Sequence, residues 1–409
     1  MANCDVEVVI VGGGAAGIAA CRRLHEARVP CLLVEARARL GGRAWTVIDS
    51  SGHALDLGCG WLHSADRNPW SGIAEAQGRA IDRTPPPWTR PSMTAGFALP
   101  EQREFFRAMD AFHTRMESVE NSPDRPAADL LDPGGRWNDL IVTVNTFVTG
   151  AEIDRVSAWD MARYDDTGVN WRVVEGLGAT IAAHGDGLPV ALDCRVLCID
   201  HGGTRLRIET DKGAIAADRA VVTLPTPMLA DEDFFAPRLP HKAEAAGALP
   251  LGFDDKLFLR LRGADKHETD CRLFGRTNRA GTGAYHLRPF GRPLIEAYFG
   301  GSLAAELEVA GGEAFFDFAV AELVALLGSA FARRMTPIRV HRWGADPFAR
   351  GAYSYAKPGK AGCRQILATP VDDRLYFAGE ACVRNDYSTA HGGWLSGTAA
   401  ADQVIAARR

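Results

Sequence analysis

The apolar positions of this chain change period several times, and each change marks an element. Residues 8–11, VVIV, are an unbroken β-branched run that reads as a buried strand. A helix is expected from Ala15 to about Ala27, followed by a second apolar run over Cys31–Val34 that ends in Glu35. A short strand within 53–63 leads into Gly58-Cys59-Gly60-Trp61. Residues 84–100, TPPPWTRPSMTAGFALP, continue neither a helix nor a central strand and read as a linker or an edge segment. From Glu101 to about Glu120, Phe105, Met109, Phe112 and Met116 recur at helical spacing. Residues 121–135 read as loop, and 138–148 and 151–164 as further helices. Short strands are expected at 196–199, 205–210 and 220–225, bounded by Gly, Asp and Pro. Lys256 opens a strand of alternating character, and one amphipathic helix is expected over 313–334. Leu375–Ala378 reads as a buried strand ending at Gly379-Glu380, and a helix runs from near His391 to the end.

With 409 residues the chain is too long for one ordinary core, so two domains are the default. Its 46% apolar and 24% charged residues are ordinary for a soluble globular protein. A net charge of −5 with no basic run argues against nucleic acid as a partner. No apolar stretch is long enough to span a membrane. The first strand begins by Glu7, which leaves no room for a signal peptide. Nine scattered cysteines without a CxxC pair suggest free thiols in a reducing, cytoplasmic setting.

The glycines after the first strand change this picture. Gly12, Gly14 and Gly17 stand in G-x-G-x-x-G spacing at the start of a helix, between two strands, with Glu35 closing the unit. That order is a dinucleotide-binding fingerprint. Gly12 permits the tight turn, Gly14 a close approach to a pyrophosphate, and Gly17 the packing of helix on strand. Free N–H groups at the helix start, around Ala16, face the phosphates. Glu35, with Ala36 and Arg37 beside it, accepts ribose hydroxyls and repels a 2′-phosphate.

Gly41, Gly42 and Arg43 follow in one loop, and this G-G-R resembles the FAD-binding amine oxidase and carotenoid desaturase superfamily more than NAD dehydrogenases. Taken with the segments 171–225, 343–355 and 374–407, the chain resembles the flavin-containing amine oxidase family: monoamine oxidases, polyamine oxidases and lysine-specific histone demethylases. The resemblance implies an α/β fold, with a Rossmann-like FAD-binding domain assembled from residues 1–80, 170–240 and 343–409. Residues 81–169 and 241–342 would form an inserted α+β substrate domain. It further implies that Arg43 brings positive charge to the pyrophosphate. The loop Gly58, Cys59, Gly60 and Trp61 would pass the flavin, and the backbone at Val196 would meet the adenine. Trp343 and Phe348 would flank the ring, Glu380 would accept a ribityl or ribose hydroxyl, and Thr389 and Ala390 would touch the flavin at a helix N-terminus. Lys256 matches the lysine that holds a water near flavin N5, where a cation stabilises charge developing on oxygen. Tyr353 would wall the substrate site. His63 reads equally as a pocket residue or a buried structural histidine.

Three departures qualify the resemblance. Ala352 stands where mitochondrial monoamine oxidases carry FAD on cysteine, so non-covalent FAD is expected. Thr389 replaces their second aromatic wall, which leaves Tyr387 or Trp394 as substitutes. The chain is too short for the demethylases' chromatin-binding parts, and no C-terminal membrane helix is expected. The implied reaction is hydride transfer from a small-molecule amine to flavin N5, with O2 giving hydrogen peroxide and the imine giving a carbonyl product; no metal is needed. Alternatives are an L-amino acid oxidase, with Arg90, Arg163 or Arg350 for the carboxylate, a C–C desaturase, or a non-catalytic flavin-bound scaffold. Asp154, Asp160, Asp165 and Asp166 read equally as polyamine contacts or solvated charges. Neither oligomeric state nor the specific substrate is legible.

Overall fold

A computed structural model describes residues 4–408. Its larger sheet has eight strands. Seven run in the order Phe235–Ala236, Val196–Asp200, Leu206–Thr210, Gly213–Val222, Cys4–Val11, Cys31–Val34 and Val190–Ala191. The eighth, Leu375–Phe377, lies parallel to Ala220–Val222. Val8–Val11 pair in parallel with Arg219–Val222 on one side and with Cys31–Val34 on the other. Both faces of this central strand are covered, and Val8 to Val11 are at most 2% exposed. An unbroken apolar run, rather than an alternating one, is what such a doubly covered strand requires.

Glycine sets how closely the two ends of the chain meet. The helices Ala15–Glu26 and Ala390–Ala406 cross where a Cβ on Gly397 would collide with the Ala16 backbone. A Cβ on Gly17 would collide with the Gly12 carbonyl, so the first helix also packs directly on its own strand–helix turn. Gly12 itself has φ +104°, a conformation that a side chain would strain.

The second sheet is antiparallel, in the order Cys271–Phe274, Ala284–Leu287, Leu294–Gly300, Asp254–Leu261 and Met335–Val340. Successive side chains alternate between its faces. Leu257, Leu259, Ile295, Ala297 and Phe299 enter a core shared with the helix Gly312–Leu327. Asp254, Lys256, Glu296 and Tyr298 belong to the opposite face, which fronts the cavity described below.

Several boundaries differ from the sequence expectation. The helix expected over 313–334 ends at Leu327, where Gly328 takes φ +89°, and a 3₁₀ segment Ser329–Arg334 follows. The helix expected over 151–164 shrinks to Ala158–Ala162. The residues before it pair with distant backbone instead: Ala127 N–H donates to Val156 O, and Ser157 N–H to Ala356 O. The strand expected at 220–225 begins at Gly213, because a hairpin joins it to Leu206–Thr210. Among the described residues no helix is long and apolar enough to cross a membrane, and no group of His, Cys, Asp and Glu could hold a metal ion.

Candidate active site

A cavity of about 1110 Å³ runs from the first strand–helix turn to the face of the second sheet. It is somewhat larger than an ordinary small-molecule pocket, and so has room for a dinucleotide with a further ligand. Of the residues singled out from the sequence, Gly12, Gly14, Ala16, Glu35, Ala36, Arg37, Gly42 and Arg43 line one part. Gly58, Cys59, Gly60, Trp61, His63, Val196 and Lys256 line it as well. So do Trp343, Phe348, Tyr353, Gly379, Glu380, Tyr387, Thr389 and Ala390, brought from the far end of the chain. Gly17 lies beneath the turn in a packing position. Trp394 is a correction: it packs against the core under the larger sheet and does not line the cavity.

The dinucleotide end is built from donors and one oriented acid. Glu35 is 5% exposed, and its carboxylate accepts the Gly13 N–H at 2.6 Å and the Arg37 N–H at 2.8 Å. These bonds fix the carboxylate at the end of its strand, where Glu35 lines the cavity. A Cβ on Gly14 would meet only Gly42 Cα, at 4.0 Å, so the space over this turn is open on the cavity side. An open, donor-rich cradle beside an oriented acid fits the pyrophosphate and ribose of FAD. Arg37 is held by Asp346 (2.5 Å) and lies 5.2 Å from the Phe348 ring centroid.

Arg43 and Glu380 join the two ends of the chain. Arg43 Nη1 donates to Glu380 Oε1 at 2.9 Å and to the Ala352 carbonyl at 2.6 Å. Glu380 Oε2 also accepts Ser354 Oγ–H at 2.6 Å and Ser388 N–H at 3.1 Å. Burial opposes ionisation of Glu380, but Arg43, the Ser354 hydroxyl and Arg364 outweigh it and hold the carboxyl below its ordinary value. Arg364, 1% exposed, clamps Asp160 through two 2.7 Å hydrogen bonds and also reaches Ser354 Oγ at 2.9 Å. Asp160 is therefore a buried partner, not a solvated charge. Thr389 caps the Ala390–Ala406 helix, accepting the Gly392 N–H at 2.9 Å, and this helix start opens on the cavity.

The other end centres on Lys256. Its ammonium is 3.1 Å from Glu296 and donates to the Asp56 carbonyl at 3.1 Å. A Cβ on Gly60 would stand 3.2 Å from Nζ, so the glycine loop lies against the lysine. Burial works against this charge, yet Tyr298, Glu296 and Asp56 outweigh it and raise the lysine pKa above its ordinary value. The Asp56 carboxylate accepts the Leu177 and Gly178 N–H groups and so caps the helix Leu177–Ala183. Burial pushes the Cys59 thiol up to about 12, so it is no nucleophile.

Around Lys256 stand aromatic and polar walls. Tyr353 donates its O–H to the Phe147 carbonyl at 2.7 Å, and Tyr387 to the Asp160 carbonyl at 2.9 Å. Burial pushes the Asp254 carboxyl up to about 8 against the opposing pull of Lys256. His63 Nδ1 is 2.6 Å from Asn170 Oδ1. An amide oxygen only accepts, so Nδ1 carries the proton and Nε2 is left as an acceptor. Burial lowers the His63 pKa, favouring the neutral ring.

Sequence reasoning missed Asp254, Arg272 and Tyr298, all of which line the cavity. Asp254 was recoverable from the alternation that includes Lys256; the other two depend on strands whose register only the fold sets. Of the proposed carboxylate-binding arginines, Arg90 donates to the Asp270 carbonyl at 2.8 Å, and Arg163 pairs with Glu120 at 2.7 Å.

Comparison with known proteins bears on this site. The profile of flavin containing amine oxidoreductases matches residues 94–405, and that of an NAD(P)-binding Rossmann-like domain matches residues 10–75. Polyamine oxidase 2 of Arabidopsis thaliana is 27% identical over 97% of this chain and 87% of its own. Lysine-specific histone demethylase 2 of Homo sapiens is 25% identical over 98% of this chain and 53% of its own. Among solved structures, cyclohexylamine oxidase from Brevibacterium oxydans IH-35A superposes with a TM-score of 0.81 at 19% identity, covering 99% of this chain and 100% of its own.

Proposed function

The chain belongs to the flavin containing amine oxidoreductases, with FAD as cofactor, and from that premise we propose that it oxidises the C–N bond of a small amine with O2 as electron acceptor. The observation that carries this reading is the buried Lys256 ammonium, held between Glu296 and the Asp56 carbonyl against the glycine loop. Bound FAD would supply the acceptor for a hydride from the amine α-carbon, after which O2 takes the electrons as H2O2 and water converts the imine to a carbonyl compound.

The chain's own residues position these events. The N–H groups around Gly12, Gly14 and Ala16, with Glu35 and Arg43, would hold the ADP half without a covalent link. Trp343, Phe348, Glu380 and the helix start at Thr389 and Ala390 would hold the flavin half, the helix dipole favouring negative charge at the ring edge. Lys256 places a fixed cation where oxygen gains charge. Tyr353 and Tyr387 form apolar walls whose hydroxyls are tied back to carbonyls. The unprotonated Nε2 of His63 is available to accept an amine N–H. Residues 1–80, 170–240 and 343–409 serve as the FAD-binding part and the remainder as the substrate part. The membership of the two sheets supports this division.

The test is an anaerobic titration of the purified yellow protein with a panel of amines. Bleaching of the flavin band by one amine class, and its return with peroxide on admitting air, is expected. A band that no amine bleaches would overturn the reading.

A further inference from the structure

Charged side chains on and beside the cavity-facing side of the antiparallel sheet are nearly all paired. Lys256 has Glu296 at 3.1 Å. His286 has Asp270 at 2.9 Å, and Arg172 meets Asp270 at 3.0 Å and Asp82 at 2.6 Å. Arg272 breaks the pattern. It sits opposite His286 in the strand pairing, on the face shared with Phe274, while Leu273 between them enters the core. Its guanidinium carbon lies 4.1 Å from the Phe274 ring centroid. Among the described residues no side chain or carbonyl hydrogen-bonds or ion-pairs with this guanidinium. Burial lowers its pKa to about 10, with Tyr298 opposing, so it stays charged at neutral pH.

A desolvated guanidinium without a counter-charge is costly, and a cavity retains one where a ligand supplies the missing anion. Its planar fork of donors matches a carboxylate bidentately. A di- or polyamine would instead bring further ammonium groups to a wall that already holds Lys256 and an uncompensated Arg272. Glu296, in register with Arg272 two strands away, is taken up by Lys256 at 3.1 Å and His286 at 4.0 Å. Asp254, a strand further, gives no counter-charge at neutral pH because burial pushes it up to about 8.

The sheet also sets a distance. The row Lys256, Tyr298, Ala284, Phe274 runs straight across four strands. Three strand spacings separate its ends, on the order of 10–14 Å. The guanidinium rests over Phe274, at the far end of that row from Lys256. With the oxidised carbon at the Lys256 end, a carboxylate several carbons away suits the Arg272 end better than an α-carboxylate, one bond away.

We infer that Arg272 receives a carboxylate at the distal end of the substrate, which is therefore an ω-amino carboxylate: an amine separated from its acid group by several carbons. This rests on the amine-oxidising reading of the same cavity. Arg272 is then a specificity-determining residue.

The experiment compares anaerobic flavin bleaching by ligands matched in chain length: ω-amino carboxylates from about four to about twelve carbons, the longest of which span the strand separation, their primary amides, the corresponding diamines and plain alkylamines. α-Amino acids are included. Wild type is expected to bind one ω-amino carboxylate about 10- to 100-fold more tightly than its amide or diamine, as one charge-assisted contact implies. Arg272→Gln should remove that preference, so that the ω-amino carboxylate and its amide bleach the flavin alike. An unreactive carboxylate of the same length should perturb the flavin spectrum of wild type and not of Arg272→Gln. A preference for diamines, plain amines or α-amino acids in wild type would overturn the inference while leaving amine oxidation intact. The wild-type comparison decides this even if Arg272→Gln does not fold. Bleaching by no ligand of any class would instead refute the amine-oxidising reading itself.

Discussion

Replacing Lys256 with Met tests the site where charge and structure are hardest to separate. The Lys256–Glu296 contact of 3.1 Å corresponds to about 5 kcal/mol of attraction at an effective dielectric of about 20. Removing one partner strands the other, and breaking a buried pair in this way costs about 3–5 kcal/mol. Lys256→Met alone would therefore lower the unfolding midpoint through Glu296, whatever its effect on chemistry. The paired variant Lys256→Met/Glu296→Gln removes both charges and should regain most of that stability. Stopped-flow measurement then separates the two half-reactions. Flavin bleaching by amine should stay within a few-fold of wild type in both variants. Reoxidation by O2 should slow about 100- to 1000-fold in both, the usual loss on removing one preorganised charge stabiliser. If reoxidation kept its wild-type rate, or returned in the paired variant, the role assigned to the Lys256 cation would be wrong.

Other perturbations read other parts of the molecule. Gly14→Ala, whose Cβ would meet no protein atom nearer than 4.0 Å, should fold normally by circular dichroism yet bind FAD at least about tenfold more weakly; unchanged FAD affinity would contradict the cradle. Gly17→Ala, which collides with the Gly12 carbonyl, should instead lower the apoprotein's own unfolding midpoint. Arg364→Met should cost about 3–5 kcal/mol, because Asp160 is left buried and unpaired, and denaturant titration beside Asp160→Asn measures it. Asp254 has an ordinary pKa of 3.8, raised in the fold to about 8. The folded state thus holds a proton that the unfolded chain has lost, so wild-type stability falls as pH rises from about 4 to 8. Asp254→Asn should flatten that part of the stability–pH curve, with Lys256, Glu296 and Tyr353 unchanged around it.

The nucleotide end was legible because its chemistry confines particular residue types to short windows. A turn with φ +104° at Gly12, a helix packed on a carbonyl at Gly17 and an acid at the next strand's end lie within two dozen residues. The C-terminal anchor was legible for the same reason, and Glu380 meets Arg43 across 337 positions of sequence. Trp394 was misread because a helix advances about 1.5 Å per residue. Four residues past Ala390 it is about 6 Å along the axis, and it packs against the core while its neighbour Gly393 still lines the cavity. Asp160 looked like solvated charge because nothing local announces Arg364, 204 positions away. The substrate wall was the least legible part. Arg272 within CRLFGR is indistinguishable from an exposed strand arginine until the pairing Arg272 with His286 assigns it a face.

That face follows one electrostatic rule. From Arg172 on the adjoining strand Arg172–Val173 through Asp270, His286 and Glu296 to Lys256, basic and acidic side chains alternate, and each has a partner within 4.0 Å. Burial opposes ionisation of Asp270, yet His286 and Arg172 hold its carboxyl far below the ordinary range. The fold therefore tolerates charge on this wall only by matching it, since each unmatched charge would be expensive in so desolvated a place. Arg172 and Arg272 illustrate the difference. The first lies between aromatic rings with two aspartates completing its fork. The second has a ring and no acid. A protein that gives Arg172 two carboxylates has the means to pair Arg272 as well. That Arg272 opens on the cavity instead means its counter-ion arrives with the substrate.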